Sequence, residues 1–519
     1  MSSLRWLDAA VIAIYMAAML LVGRWFARRQ TTTEAYFVAS RSIPGWATGI
    51  SIYAALITSL TFIAYPGSAY AGNWAELVPG FTILITLLPV GAVVVPFYRE
   101  AVGMSAYEFF ERRFGYGVRA YSAFAFAAGH FSKMGFVFFT TAITIERITG
   151  WDIYAVLIGT GAVTIFYTVI GGLEAVIWTD VIQGFVKVIG VVVVLGWLFV
   201  HMPGGIGAAF ELAAARHKFD LGTPGFDPAS KTSFWVLIVY GIFQYLQKYV
   251  ADQTLVQRYL VARTERDAVR GAALGGILCV PAWVLFMLIG TLVWAYYQLS
   301  HEPLPAGIAP DKVFPHFLAT KIPAGLAGLF MASLFSAAMA MLSSDLNCLS
   351  VVAVEDGYRR WRPRATDAQR LLVGKLVVVA CGLLAVLIGI VIAWKSERVL
   401  SFWFTTSSVV AGGLAGLFLL AFLSPRANRQ GALAGIGACL VFTAYATFSS
   451  GKDRLLDLGA WNYPWTGVTI GVIGHFIVLA AGYVASLAFA DDTRAARPMT
   501  LWGWLDRRRG ANREAAAEH

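Results

Sequence analysis

The sequence predicts an all-α polytopic membrane protein of about thirteen transmembrane helices. Three observations predict it. Of 519 residues, 58% are hydrophobic and only 13% charged, a balance that a water-soluble domain of this size does not sustain. The apolar residues are gathered in stretches of about 18 to 28, long enough as helices to cross a hydrocarbon core of roughly 30 Å. The short alternating segments of a membrane β-barrel are absent, and unpaired backbone groups in lipid leave the helix as the remaining choice.

The spans run Leu7 to Phe26, Pro44 to Pro66, Leu77 to Phe97, Val118 to Ile145, Ile153 to Ile170 and Ala175 to His201. They continue with Ser233 to Ala251, Ala272 to Tyr297, Pro323 to Val354, Leu371 to Ala393, Leu400 to Leu423, Gly431 to Phe448 and Trp465 to Phe489. The first lacks a small-residue cleavage site and is followed by Arg28 and Arg29, so it reads as a retained helix, not a signal peptide. With the amino terminus outside, about 26 of the 40 basic residues fall in or beside inner segments and about 11 outside. That asymmetry selects an inner (plasma) membrane topology with a cytoplasmic carboxy terminus, and it assigns the net charge of +10 to orientation, with no nucleic-acid partner.

The longer outer loops, 201–231 and 298–321, are rich in Gly, Ala and Pro and show little recognisable structure; they read either as a vestibule or as plain connectors. Residues 491–519 form a charged tail, either a basic amphipathic segment or disordered. Cys279, Cys348, Cys381 and Cys439 each lie inside an apolar span and read as reduced packing residues.

Four stretches carry a resemblance. They are EAYFVASRSIPGWATGIS (34–51), GGLEAVIWTDVIQ (171–183), ADQTLVQRYLVARTERDA (251–268) and LFSAAMAMLSSDLNCLSVVAVEDGY (334–358). In this order, and spread over most of the chain, they resemble the sodium/solute symporter family of sodium:glucose, sialic acid and proline transporter-like proteins. The resemblance implies the five-plus-five inverted repeat of the leucine-transporter fold. Residues 1–30 would hold a peripheral first helix, 42–201 the first repeat, 232–423 the second and 424–490 two peripheral helices. Solute and cation would meet near the bilayer midplane.

The second span carries small and hydroxylated residues from Ala54 to Ser59, where a local break would free carbonyls that survive at membrane depth only beside a cavity or a cation. Close helix packing is the plainer reading of the same residues. By the resemblance, Ala54 and Ile57 offer carbonyls to the principal sodium site, and Thr58 and Thr61 face the solute. Asp180, an ionisable residue in the sixth span, is a functional candidate by cost alone. The resemblance joins it with Ser343 and Ser344 as a second Na⁺ site, followed by Asp345 as a coupling residue. The pattern departs at Ala340 and Met341, where two hydroxyl ligands of the principal site are expected; a methyl and a thioether do not hold Na⁺.

Lys187 lies about twelve residues, or about 18 Å, inside the sixth span, too deep to reach an interface. Its ammonium is expected to replace the missing Na⁺ by pairing with Asp345 or with the broken-helix carbonyls; a static structural ion pair is the alternative. Lys133, with His130 one turn before it, stands where sialic acid transporters carry a carboxylate-gripping Arg, which suggests an anionic solute, although a locally neutralised lysine fits the same sequence. His130 reads equally as a packed polar residue. Lys248, four residues before Asp252, reads as snorkelling. Tyr245, Tyr249 and Phe243 read as an inner aromatic gate or as ordinary packing, and Trp403, Thr405 and Thr406 would complete the pocket.

No paired-His motif, Gly-x-Ser-x-Gly or His/Cys cluster supports an enzyme, and no filter repeat supports a channel. The expected function is a cation/solute symporter importing a sugar, sugar acid or small carboxylate by alternating access, with Na⁺ as coupling ion and no other cofactor. Proton coupling or ion independence through Lys187 is the alternative, and a transport-like sensor is the rival from another class. The expected partners are the small solute and lipid, and a monomer suffices.

Overall fold

The computed structural model describes residues 6–394, 412–451, 454–489 and 497–517. Among them, eight helices are long and apolar enough to cross a bilayer, or nine if one bent pair counts as a span. In chain order, α1 is Trp6–Phe26, α2 Gly45–Leu56, α3 Ser59–Ala71, α4 Ala75–Ala101, α5 Tyr116–Thr149, α6 Ile153–His201, α7 Phe234–Ala251 and α8 Gln253–Val261. They are followed by α9 Glu265–Ser300, α10 Leu326–Trp361, α11 Asp367–Trp394, α12 Leu414–Leu423, α13 Arg429–Ser449, α14 Gly467–Leu487 and α15 Leu501–Ala517.

Two interruptions of regular helix set the geometry of the centre. α2 and α3 meet at 57° across Ile57 and Thr58, both with extended backbone, so the expected second span is a broken pair that continues past Pro66 to Ala71. The bend redirects the Thr61 amide to Thr58 O, leaving the carbonyl of Ile57 without its in-helix donor. α7 and α8 are divided in the same way by Asp252, whose extended backbone ends one helix while its carboxylate accepts from the Thr254 amide at 2.9 Å and caps the next. The spans read from the sequence end at Ala251 and resume at Ala272, which leaves the stretch between them as a connecting loop; α8 within it is a correction. Leu255, Val256, Tyr259 and Leu260 form one face of α8 and Gln253, Thr254, Gln257 and Arg258 the other, and every residue of the helix is buried, the polar face meeting polar partners.

The spans expected at Ile153 and Ala175 are two helices within α6, joined at Gly172, whose backbone at φ 56° and ψ −161° leaves the helical region and turns the chain between them. A Cβ there would lie 2.8 Å from Gln30 Oε1 and from Tyr36, so both the backbone turn and the close approach require glycine. α10 is almost wholly buried from Ala327 to Val352, which makes it the inner post against which α6 and α1 pack.

The loops 201–231 and 298–321 carry more order than their composition suggested. Alanine-rich Gly205–Ala215 and proline-started Pro310–Lys321 are helices. After the first of these, Lys218 donates to the carbonyls of Ala69 at 3.3 Å, Tyr70 at 2.7 Å and Gly72 at 3.0 Å, capping the carboxy end of α3, and its ammonium stands 4.6 Å from the Trp294 ring centre. Burial pulls this ammonium down to about 8. In the tail, α15 is a docked helix: Trp504 is buried and Arg508 bridges Glu100 at 2.8 Å and Glu265.

Candidate functional site

Lys187 is fully buried on α6, and its ammonium donates to Ala54 O at 2.5 Å and Ile57 O at 2.9 Å. The reach depends on α6 lying against α2. One turn before Lys187, a Cβ on Gly184 would stand 2.8 Å from Ile50 Cγ2, closer than a methyl tolerates, so the glycine lets the helices approach. Of the two partners expected for Lys187, the carbonyls are the ones it meets. Asp345 is not its partner.

Asp180 Oδ2 accepts from Ser51 at 2.5 Å and from Arg258 Nη2 at 2.9 Å. Arg258 is fully buried and also donates to Ser51 at 2.8 Å, to Ser344 at 2.6 Å and to the Thr254 carbonyl. The guanidinium thus lies between Asp180 and Ser344, two of the three side chains expected to hold a sodium. The third, Ser343, hydrogen bonds back to Ala340 O at 3.2 Å, and Ser344 donates to the same carbonyl at 2.7 Å. Asp180 Oδ1 is buried with no hydrogen-bond partner among the described residues. Sequence reasoning missed Arg258 because it assigned the residue to an inner loop.

A cavity of about 230 Å³ opens beside the α2/α3 break, lined among others by Thr58, Thr61, Lys133, Tyr245, Trp283 and Asp345. A second, of about 270 Å³, lies against it and shares Lys133, Gln244 and Lys248. A chain of charges separates the two. Lys133 Nζ stands 3.8 Å from Asp345 Oδ2, His130 Nδ1 lies 2.9 Å from Asp345 Oδ1, His130 Nε2 lies 3.5 Å from Asp252 Oδ2, and Lys248 donates to that oxygen at 2.6 Å. His130 is therefore bridged by two carboxylates. Lys248 is ion-paired rather than snorkelling, a correction that follows from the break at Asp252 bringing its carboxylate back toward α7.

The aromatic residues divide. Tyr245 faces the smaller cavity and packs on Trp283 with ring centres 5.8 Å apart. Phe243 points to the second cavity against His475 and Phe476, and Tyr249 is buried on Tyr259, so the three do not form one gate. Phe243 and Tyr245, two residues apart, point to opposite sides of α7, and Tyr249, one turn beyond Tyr245, is sealed against Tyr259. Trp403, Thr405 and Thr406 lie outside the described residues.

Broken helices from two parts of the chain, with cations and a polar hollow at their interruptions, have the anatomy of a transporter. The family model of the sodium:solute symporters matches residues 36–438. The chain belongs to the sodium:solute symporter family. It is 32% identical over 489 residues to a sodium/sialic acid symporter of Proteus mirabilis (strain HI4320), covering 93% of this chain and 95% of that one. A second sodium/sialic acid symporter, from Aliivibrio fischeri (strain ATCC 700601 / ES114), is 30% identical and is covered to 94%, as is this chain. Among solved structures, a substrate-bound, outward-open Na⁺-coupled sialic acid symporter matches with a TM-score of 0.87 at 30% identity, covering 93% of this chain and 98% of that one. Mhp1, a nucleobase-cation-symport-1 family transporter, matches at 0.54 and 14% identity, a likeness of fold alone, over 89% of this chain and 98% of its own. This symporter is a multi-pass, all-helical membrane protein of the leucine-transporter fold and a secondary active transporter.

Proposed function

We propose that this symporter imports a small solute bearing a carboxylate, with a sugar acid such as sialic acid as the first candidate. The observation that carries the reading is Lys133. Its side chain is 29% exposed and lines both cavities, and its counter-ion Asp345 stands at 3.8 Å, beyond hydrogen-bond distance. An ammonium so loosely held in a hollow within the membrane keeps its donors for an incoming anion. Thr58, Thr61, Gln244 and Tyr245 supply further polar contacts for hydroxyl groups. The names of the relatives support the sugar-acid class. The charge asymmetry of the loops supports an amino terminus outside and a carboxy terminus in the cytoplasm, in the plasma membrane, and a coupling ion that runs inward down its gradient gives import.

A second reading concerns the driving cation. Lys187 holds the two carbonyls that the family resemblance marks for the principal sodium, and Ala340 and Met341 offer no hydroxyl beside them. On this reading the chain supplies one cation itself, and a transported cation is confined to Asp180, Ser343 and Ser344 or replaced by a proton. Uptake of a panel of sugars and carboxylates into proteoliposomes, with Na⁺ replaced by choline and pH varied, tests both readings. Uptake confined to neutral sugars contradicts the first, and uptake with the sodium dependence of a two-sodium carrier contradicts the second.

A further inference from the structure

Each nitrogen of the His130 ring faces a carboxylate oxygen, Asp345 on α10 at 2.9 Å and Asp252 at the α7/α8 break at 3.5 Å. A neutral imidazole carries a single N–H, so one carboxylate always faces a lone pair; only the protonated ring offers a donor to both. The contact at Nδ1 has the distance of a hydrogen bond without being one, and Asp345 Oδ2 also has no hydrogen-bond partner among the described residues. The pocket is therefore short of one donor. The ring is 7% exposed and packs on Phe126 with ring centres 4.0 Å apart, so water does not make up the shortfall from that side.

The charges close the argument. The groups facing this ring are Lys133 on its own helix, Lys248 and Asp252 from the α7 side, and Asp345 from α10, with His475 of α14 across the second cavity. With His130 neutral, two lysines and two aspartates sum to zero; with His130 protonated the cluster carries one positive charge. A carboxylate drawn to Lys133 adds one negative charge in a region of low dielectric and loosens Lys133 from Asp345. A proton on His130 restores neutrality and gives Asp345 both a donor and a countercharge.

We infer that His130 is a proton-binding site filled together with the solute carboxylate, so that anion and proton enter the cluster as a neutral pair. The inference rests on the reading of Lys133 as the carboxylate site and adds the group that carries the accompanying charge. No bond is made or broken in the solute; one proton moves from water to an imidazole nitrogen. By linkage, each ligand tightens the other by the same factor.

The test is calorimetric titration of the purified full-length transporter with sialic acid, glucuronate and pyruvate at mildly alkaline pH, in buffers of different ionisation enthalpy. The expected result is uptake of about one proton per bound anion, with affinity falling about tenfold per pH unit above the titration of the cluster. His130→Gln is expected to lose the proton uptake and to bind the anion weakly. Asp345→Asn leaves the cluster one charge positive with His130 neutral, and is expected to lose proton uptake while keeping or raising affinity. Anion binding without proton uptake by the wild type overturns the inference alone, as does proton uptake that survives in His130→Gln. Absence of binding by every carboxylate overturns the anion-site reading and the inference with it.

Discussion

Replacing Lys187 by alanine removes a buried ammonium from the two carbonyls it holds at the helix break. Its two hydrogen bonds, at 2.5 and 2.9 Å, are of the charge-assisted kind, each contributing about 1.5–3 kcal/mol. The carbonyls left behind each cost about 1–3 kcal/mol if they stay dry. Because these terms overlap, the expected loss is about 3–5 kcal/mol, at the upper end of what single substitutions do. The vacated space has the ligand type that suits a hard cation, so sodium is expected to enter and offset part of the loss. At a concentration 100 times its dissociation constant, a bound ion returns about 2.7 kcal/mol. Thermal unfolding of the purified protein in sodium chloride and in choline chloride of equal ionic strength reads both effects. Lys187→Ala should have the lower Tm and the larger sodium dependence, and adding Ala340→Ser and Met341→Ser should enlarge that dependence further. An unchanged Tm in Lys187→Ala, or a sodium dependence that belongs to the wild type and disappears in the variant, would refute the fixed-cation reasoning.

Three other outcomes follow from the same geometry. Lys133→Ala should weaken carboxylate binding tenfold or more, about 1.4 kcal/mol, while Lys133→Arg retains it, as competition binding would show. Arg258→Met strands Asp180 without its guanidinium and should cost about 3–5 kcal/mol in thermal unfolding, with Asp180→Asn in the same chain recovering much of it. Lys218 titrates near 8 when folded against 10.5 when free, so the unfolded chain binds the extra proton between those values and stability should rise with pH across that window. Lys218→Gln should flatten that rise in a pH series of melting temperatures.

Much of this centre was legible in the residues because membrane depth makes charge conspicuous. Lys187 announced itself by lying too far from either interface, and the small residues around Ala54 marked a break where one exists. Lys133 and Asp180 stood out for the same reason of cost. Arg258 did not, because its polar neighbours made α8 look like an inner loop and its charge was absorbed into the topology count; only burial on every side reveals it as the partner of Asp180. The bridge through His130 was hidden as well. Asp345 and Asp252 lie far apart in sequence and from His130, and they converge only because α7 breaks at Asp252. The pairing of Lys187 with carbonyls rather than with Asp345 was left open by sequence, since helical periodicity fixes a face but not which neighbouring helix supplies the partner.

The account depends most directly on where a solute carboxylate sits. An experimental density map of the transporter with sialic acid, or with whichever carboxylate of the panel binds, measures it. The prediction is a carboxylate within about 2.7–3.2 Å of Lys133 Nζ, in the hollow bounded by Thr58, Thr61 and Tyr245. A bound solute whose carboxylate lies elsewhere, with Lys133 still turned to Asp345, would contradict it.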